Sequence, residues 1–345
     1  MTLTSKTHST EDIGSAIELC YSNGWTDGLP VVPPTAERIN QMLEAVDLAP
    51  AHQVAFIENR QISVTVEKIA INAVMAGCKP EYMPVIIAAV GALADPKYGY
   101  HGPATSTGGA AVFMLINGPI AKQLHINSGD NLFGPGWRAN ATIGRAIRLI
   151  MRNIIGTIPG ELDRSCLGHG GKYSFCIAEN EESSPWPAFH TTRGFAADEN
   201  AVTIFAAYAP HQYSNRLSAT AEGVLTTACA HMRISAGTAR QPQYAMVFGG
   251  EHQDIMKKSG WTRKNVQDYV FEHTQNTILD LQKIYMLSDS YLNSDGSSQY
   301  ALVETPDDLL VIAAGGFAGV QSAFIPGWGG KNGSQSVTYP IKSIK

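Results

Sequence analysis

The chain has 345 residues, 44% of them hydrophobic and 16% charged, with a formal net charge of −5. That balance suits a globular protein with a full core and excludes a largely disordered one, and an acidic total argues against nucleic acid as the main partner. Five cysteines, odd in number and without CxxC or Cys/His zinc spacing, argue against a disulfide framework and structural zinc. The longest apolar runs, such as MPVIIAAVGALA (83–94), fall short of the ~18 residues a membrane span needs, and the polar start lacks an apolar signal core. The expectation is a reducing, cytoplasmic protein with no membrane partner.

In chain order, residues 1–14 read as a flexible arm and 15–345 as a single α/β catalytic domain. A short helix from Ser15 to Ser22 ends at Asn23-Gly24, a left-handed cap. WTDGLPVVPPT (25–35) is a rigid, Pro-bracketed loop that can wall a site and carries Asp27; Thr35 caps the next helix. Residues 66–94 form a helical hairpin broken at Gly77. Cys78 lies in its turn, where Lys79 and a helix start are expected to lower the thiol pKa, against the plainer reading that a lone turn cysteine is inert.

HGPATSTGGAAVFMLINGP (101–119) gives a Gly-rich loop and a strand over 111–116. An anion-receptive corner follows at Asn117-Gly118, where a helix begins. No GxGxxG or Walker sequence supports a nucleotide cofactor. A polar loop from 126 then leads into a helix with Ile143, Ile147, Ile150 and Ile154 on one face and Arg145, Arg148 and Arg152 on another. Arginine forks suit carboxylates, and Arg138 and Arg145, nearest the Gly-rich loop, are the expected ligand binders, against a solvated or subunit-facing stripe. Ser128, Asn140, Asp27, Asn117 and Glu251 complete the candidate substrate-binding set.

GKYSFCIAENEESSPW (171–186) is the densest stretch. Tyr173, Phe175 and Ile177 alternate with Ser174, Cys176 and Ala178 as in a half-buried strand, with a small face that a ligand or another backbone can approach. His169 and Lys172 lead into it, and Glu179, Glu181 and Glu182 follow. Cys176 is the candidate nucleophile or redox thiol, with Lys172, His169, Glu179 and His252 as acid–base groups. The plainer alternative is a core strand with a buried cysteine and an acidic turn.

Further on, a strand over 201–209, a helix over 218–232, and a strand, Gly249-Gly250 and a helix from Glu251-His252 follow. The segment 244–260 repeats the pattern of 111–129, and DLLVIAAGGF (308–317) starts the same way. Strand–Gly–helix pseudo-repeats on a mixed sheet with surrounding helices are therefore expected, with Asn117, Glu179, His252 and Gly316 on one rim.

As a set, WTDGLPVVPPT, AINAVMAGCKPEYMPV, INGPI, INSG, FGPGWRANATIGRA, GKYSFCIAENEESSPW and FIPGWG resemble a poorly characterised bacterial family. Its members stand alone, or are fused to or encoded beside small proteins with a Cys- or selenocysteine-containing UGSC motif. The likeness spans nearly the whole chain and implies a small thiol or selenoprotein partner, without an established reaction. This chain has no UGSC tetrapeptide of its own, and Thr105, Ser106, Thr107 and Gly108 stand where members often carry a His-Pro pair.

Three functions stay open. One is an oxidoreductase- or lyase-type enzyme acting on a small anionic, carboxylate-bearing metabolite by thiol-dependent redox or C–S/C–N chemistry. The second is a metal-dependent lyase or hydrolase, although the ten histidines show no HxxxH, HExxH or HxH spacing. The third is a non-catalytic subunit presenting substrate to a thiol partner. A homo-oligomer is expected in each case.

Overall fold

The structure is a computed structural model describing residues 3–235, 241–331 and 333–342. Helices α1 (Ile13–Ser22) and α2 (Ala36–Glu44) precede a hairpin of β1 (Gln53–Ile57) and β2 (Ile62–Thr65). Helices α3 (Val66–Ala76) and α4 (Met83–Leu93) and the short α5 (His101–Thr105) come next. The chain continues through β3 (Ala111–Asn117), α6 (Pro119–Gln123), α7 (Arg138–Asn153), β4 (Cys176–Ala178), β5 (Ala201–Ala207) and β6 (His211–Ser214). Then come α8 (Ala221–Ile234), β7 (Tyr244–Phe248), α9 (Gly250–Lys258) and α10 (Arg263–His273). A small excursion of β8 (Asn276–Thr277), α11 (Ile278–Lys283) and β9 (Gln299–Tyr300) leads to β10 (Leu309–Ala313), β11 (Gln321–Pro326) and β12 (Val337–Pro340).

The α/β expectation holds, with two four-stranded mixed sheets rather than one: β12-β5-β3-β4 and β10-β7-β11-β6. Each has one parallel pair, β3 with β4 or β7 with β10, and is otherwise antiparallel. The registers match position by position. Ile116 pairs with Ala178 and Val202, as Phe248 pairs with Ala313 and Ser322. At the edges, Tyr339 faces Val202 as Tyr213 faces Ser322. Hence β6 follows β5 but pairs with β11, while β12 follows β11 but pairs with β5: the halves exchange their edge strands. The matched residues Ala207 and Gly327 form a bridge, flanked by Tyr208 N–H to Pro326 O and Trp328 N–H to Ala206 O, both 2.8 Å. A pseudo-two-fold axis therefore runs between them.

The sheets pack face to face over Phe113, Phe175, Ile177, Val247, Ile312 and Ile325. Helices α3, α4 and α7 cover the outer face of the first, and α8, α9 and α10 that of the second, so the layers run α/β/β/α. Burial on both faces explains why the central strands read as nearly unbroken apolar runs. Gly315-Gly316 opens no third unit: among the described residues no helix follows it, and β10 is the parallel partner of β7. The suspected loose arm is tied at its start, where Thr4 and Ser5 donate backbone and hydroxyl hydrogen bonds to the buried Glu67. No helix among the described residues is long and apolar enough to cross a membrane.

Candidate active site

The cationic face of α7 builds the site. Arg145, Arg148 and Arg152 recur at three- and four-residue spacing, so one helix surface presents all three. Below it the chain leaves α7, and Pro159 bridges to Asp163 in a tight loop. Ser165 N–H donates to Asp163 Oδ1 at 3.2 Å, an Asx-type turn that fixes the carboxylate. A single turn of 3-10 helix over Gly170–Lys172 then returns the lysine to this carboxylate.

Lys172 Nζ lies 2.9 Å from Asp163 Oδ1 and 2.8 Å from Oδ2, and donates to Ser165 Oγ at 2.5 Å. The Ser165 hydroxyl in turn donates to Asp163 Oδ1 at 2.5 Å, and Arg148 Nη2 reaches Asp163 Oδ2 at 2.9 Å. Burial works against the Asp163 charge, yet the hydrogen bonds from Lys172 and Ser165 bring its carboxyl down to about 2. Burial pulls the Lys172 amine below its ordinary value, and the Arg148 charge adds to this against the pull of Asp163.

These groups line a cavity of about 350 Å3 with Asp27, Arg152, His169 and Tyr173. Asp27 is gripped by Arg145 through two 2.8 Å bonds, which hold its carboxyl low against burial. Arg152 spends its Nε on Gly24 O at 2.8 Å and faces no carboxylate among the described residues. Of the charged groups lining this cavity, Arg148, Arg152 and Lys172 stand against Asp27 and Asp163, and Asp27 is already paired with Arg145, leaving excess positive charge. His169 is held neutral by burial: its Nε2 donates to Ala207 O at 3.2 Å, and its Nδ1 accepts from Gly171 N–H.

The structure thus brings Asp27, Arg145, His169 and Lys172 together and disperses the other expected residues. Cys176 lies in the core under α7, where burial, with Cys78 nearby, pushes its thiol up to about 12. Its stretch is a strand only from Cys176; Tyr173, expected to anchor a core face, is 52% exposed. What approaches the small face is a backbone. A Cβ on Gly144 of α7 would come within 2.3 Å of Ser174 Oγ and 2.8 Å of Phe175 N. Cys78 is likewise buried and raised to about 12, so the expected lowering is reversed; its thiol donates to Thr142 O.

Arg138 caps α3 through two bonds to Gly77 O, and Asn140 staples Asn127 to Cys176 O. Ser128 accepts Gly315 N–H on its backbone carbonyl, and Glu251 accepts Val320 N–H. Asn117 and Glu179 do meet at the strand ends, in a sealed network. Glu179 accepts from Asn117 Nδ2 at 2.6 Å and Phe189 N–H at 2.5 Å, with Arg263 Nη2 at 3.3 Å. Burial raises its carboxyl to about 7, against the opposing pull of Arg263. The Gly118 corner does receive an anion, the chain's own Glu181, at 2.8 Å. His252 is fully buried; its Nε2 faces Asn215 O, a pure acceptor, so Nδ1 accepts the Ser322 hydroxyl at 2.7 Å.

Two further cavities are present, one of about 940 Å3 beside Tyr100, His101 and Trp328 and one of about 380 Å3 beside Asp130, Gly249 and Gly316. The first is lined by the exposed Lys331–Glu304 pair, but neither holds a buried ion pair as the Lys172 cavity does. Among the described residues no three His, Cys, Asp or Glu side chains converge as a metal site requires.

Sequence reasoning ranked Arg148 and Arg152 behind Arg138 and Arg145, and passed over Asp163 and Ser165. The pattern Asp-x-Ser after a Pro-Gly turn was the available signal, and it marks a turn far more often than a site. No family model matches the chain, and no curated protein matches it.

Proposed function

We propose that this protein is a small-molecule enzyme acting on a carboxylate-bearing substrate. Arg152 and Arg148 hold the anion, and the Lys172 amine is the acid–base group. The observation that carries this reading is the Arg152 guanidinium, which lines a metabolite-sized cavity and is paired with no carboxylate among the described residues, Asp27 and Asp163 being held by other cations. Beside it, the Lys172 amine is partly buried and lies below its ordinary value, through burial and the Arg148 charge and against the pull of its partner Asp163. Cys176, a buried neutral thiol, has no role in this reading.

Calorimetric titration with malonate, succinate and glutarate tests it. At least one should bind, and Arg152→Met should weaken that binding by roughly 1–3 kcal/mol, the worth of a charge-assisted contact. Lys172→Arg, which keeps a cation beside Asp163 but is not a proton-transfer group, should abolish turnover of any substrate found while leaving the protein folded. Absence of binding in the wild type, or equal binding by Arg152→Met, would overturn the proposal.

A further inference from the structure

Resting on that reading and taking it a step further, we propose that Lys172 forms a covalent imine with the carbonyl carbon of an oxo acid whose carboxylate is held by Arg152 and Arg148. A lysine that is only an acid–base group needs no particular neighbours beyond its proton partners. A lysine that attacks carbon needs a free lone pair, hence partial burial and a nearby cation that disfavours the ammonium form. Lys172 has both: its side chain is 15% exposed, and Arg148 shares its carboxylate partner, Asp163. It also needs a compact anchor that orients the carbonyl, which Arg152 supplies at the same cavity.

The hydrogen bonds fit the steps. Two Lys172 donors are engaged, by Asp163 Oδ1 and Ser165 Oγ, and both partners line the cavity. The ammonium releases a proton to water through the cavity, and the Nζ lone pair attacks the carbonyl carbon. The carbonyl π pair moves to oxygen, which takes a proton from the attacking nitrogen to give a neutral carbinolamine. Its hydroxyl leaves as water after taking up the proton that the cavity water received from the ammonium, and the C=N bond forms. The resulting iminium carries the positive charge that the ammonium carried. Asp163, ionised far below neutrality, therefore keeps its ion pair throughout, and no charge is left uncompensated. The iminium then draws electrons from the adjacent carbon, as decarboxylation or aldol cleavage requires, which places the reaction among the lyases. His169 cannot act as the base while both ring nitrogens remain occupied by Ala207 O and Gly171 N–H.

The test is reductive trapping on the full chain with sodium cyanoborohydride and pyruvate, acetoacetate or levulinate as probe, read by intact mass and peptide mapping. The expected result is one adduct, of probe mass less one water plus two hydrogens, on Lys172. It should be diminished in Arg152→Met and lost in Lys172→Arg, which keeps the cation for Asp163 and so the fold. Labelling of exposed Lys79 and Lys331 to the same extent as Lys172 would overturn the imine. So would no adduct while malonate, succinate or glutarate still binds, and that result would leave the carboxylate-binding reading standing. Failure of both trapping and carboxylate binding would remove both.

Discussion

Lys172 and Glu179 flank β4 seven residues apart, and each belongs to a buried ion pair with additional hydrogen bonds. Their surroundings differ in one decisive respect. Around Glu179 every donor is turned inward: Asn117, Phe189 N–H and Arg263 enclose the carboxylate, whose side chain is fully buried. Arg263 also ties Val311 O and Pro187 O, so it fastens the second half of the fold onto the first. Around Lys172 the charges do not cancel, and they border a cavity. Chemical density along the sequence therefore does not mark a site by itself. Uncompensated charge beside an open volume is what the proposed site rests on, and both are properties of the folded chain.

The largest effect should come from breaking the sealed end. Arg263→Leu removes the cation from a buried carboxylate and the donors to two carbonyls, and should cost about 3–5 kcal/mol in urea unfolding at pH 8. Glu179 can escape by taking up a proton, so the cost should shrink at pH 5. Adding Glu179→Gln should recover part of the loss at pH 8. A cost unaffected by pH and by that second substitution would mean that Arg263 acts through packing alone.

A smaller effect on the same residue follows from its titration. The Glu179 carboxyl sits at about 7 in the folded chain, against 4.5 for an unperturbed glutamate. Between those values the native state binds the extra proton, so this group's contribution to stability falls as pH rises from 4.5 to 7 and is constant above. Asp163 has the opposite sign: its folded value of about 2 lies below the ordinary 3.8, so its contribution is present above 3.8 and lost as pH falls toward 2. Glu179→Gln should flatten the first window and leave the second. A wild-type minus Glu179→Gln difference in Tm that does not change between pH 5 and 7 would refute the raised carboxyl.

How much of this was legible follows from the physics of each signal. The helices declared themselves through caps and periodicity: Thr35, Gly77 and the isoleucine stripe of α7 stand where local rules place them. The repeated strand–Gly–helix pattern was visible because in each half a glycine turn links the central strand to a helix. The strand exchange was not, because which sheet β6 and β12 join depends on partners over a hundred residues away. The arginines were visible as a face, but their partners within the fold were not. Which of them is consumed by Gly77 O, Asp27 or Asp163 is settled by loops that carry no periodicity. Cys176 drew attention for a sound reason, a small strand face, but that space is filled by α7 at Gly144.

That last point gives the smallest predicted effect and sharpens the contrast between sealed and open regions. Cys78, Cys176 and Cys229 are buried, and burial raises each thiol to about 12, so almost no thiolate exists at neutral pH. Cys166 is exposed beside Ser165. Iodoacetamide on the native protein should therefore modify Cys166 first and spare Cys176 until denaturant is added. Cys176→Ala removes one sulfur from a site packed under the α7 backbone and should cost about 1 kcal/mol, with carboxylate binding unchanged. Tight packing makes the converse equally informative. If Cys176 reacts natively as fast as Cys166, β4 must open from α7 on the labelling timescale, and the distinction drawn between its two ends would be dynamic rather than built into the packing.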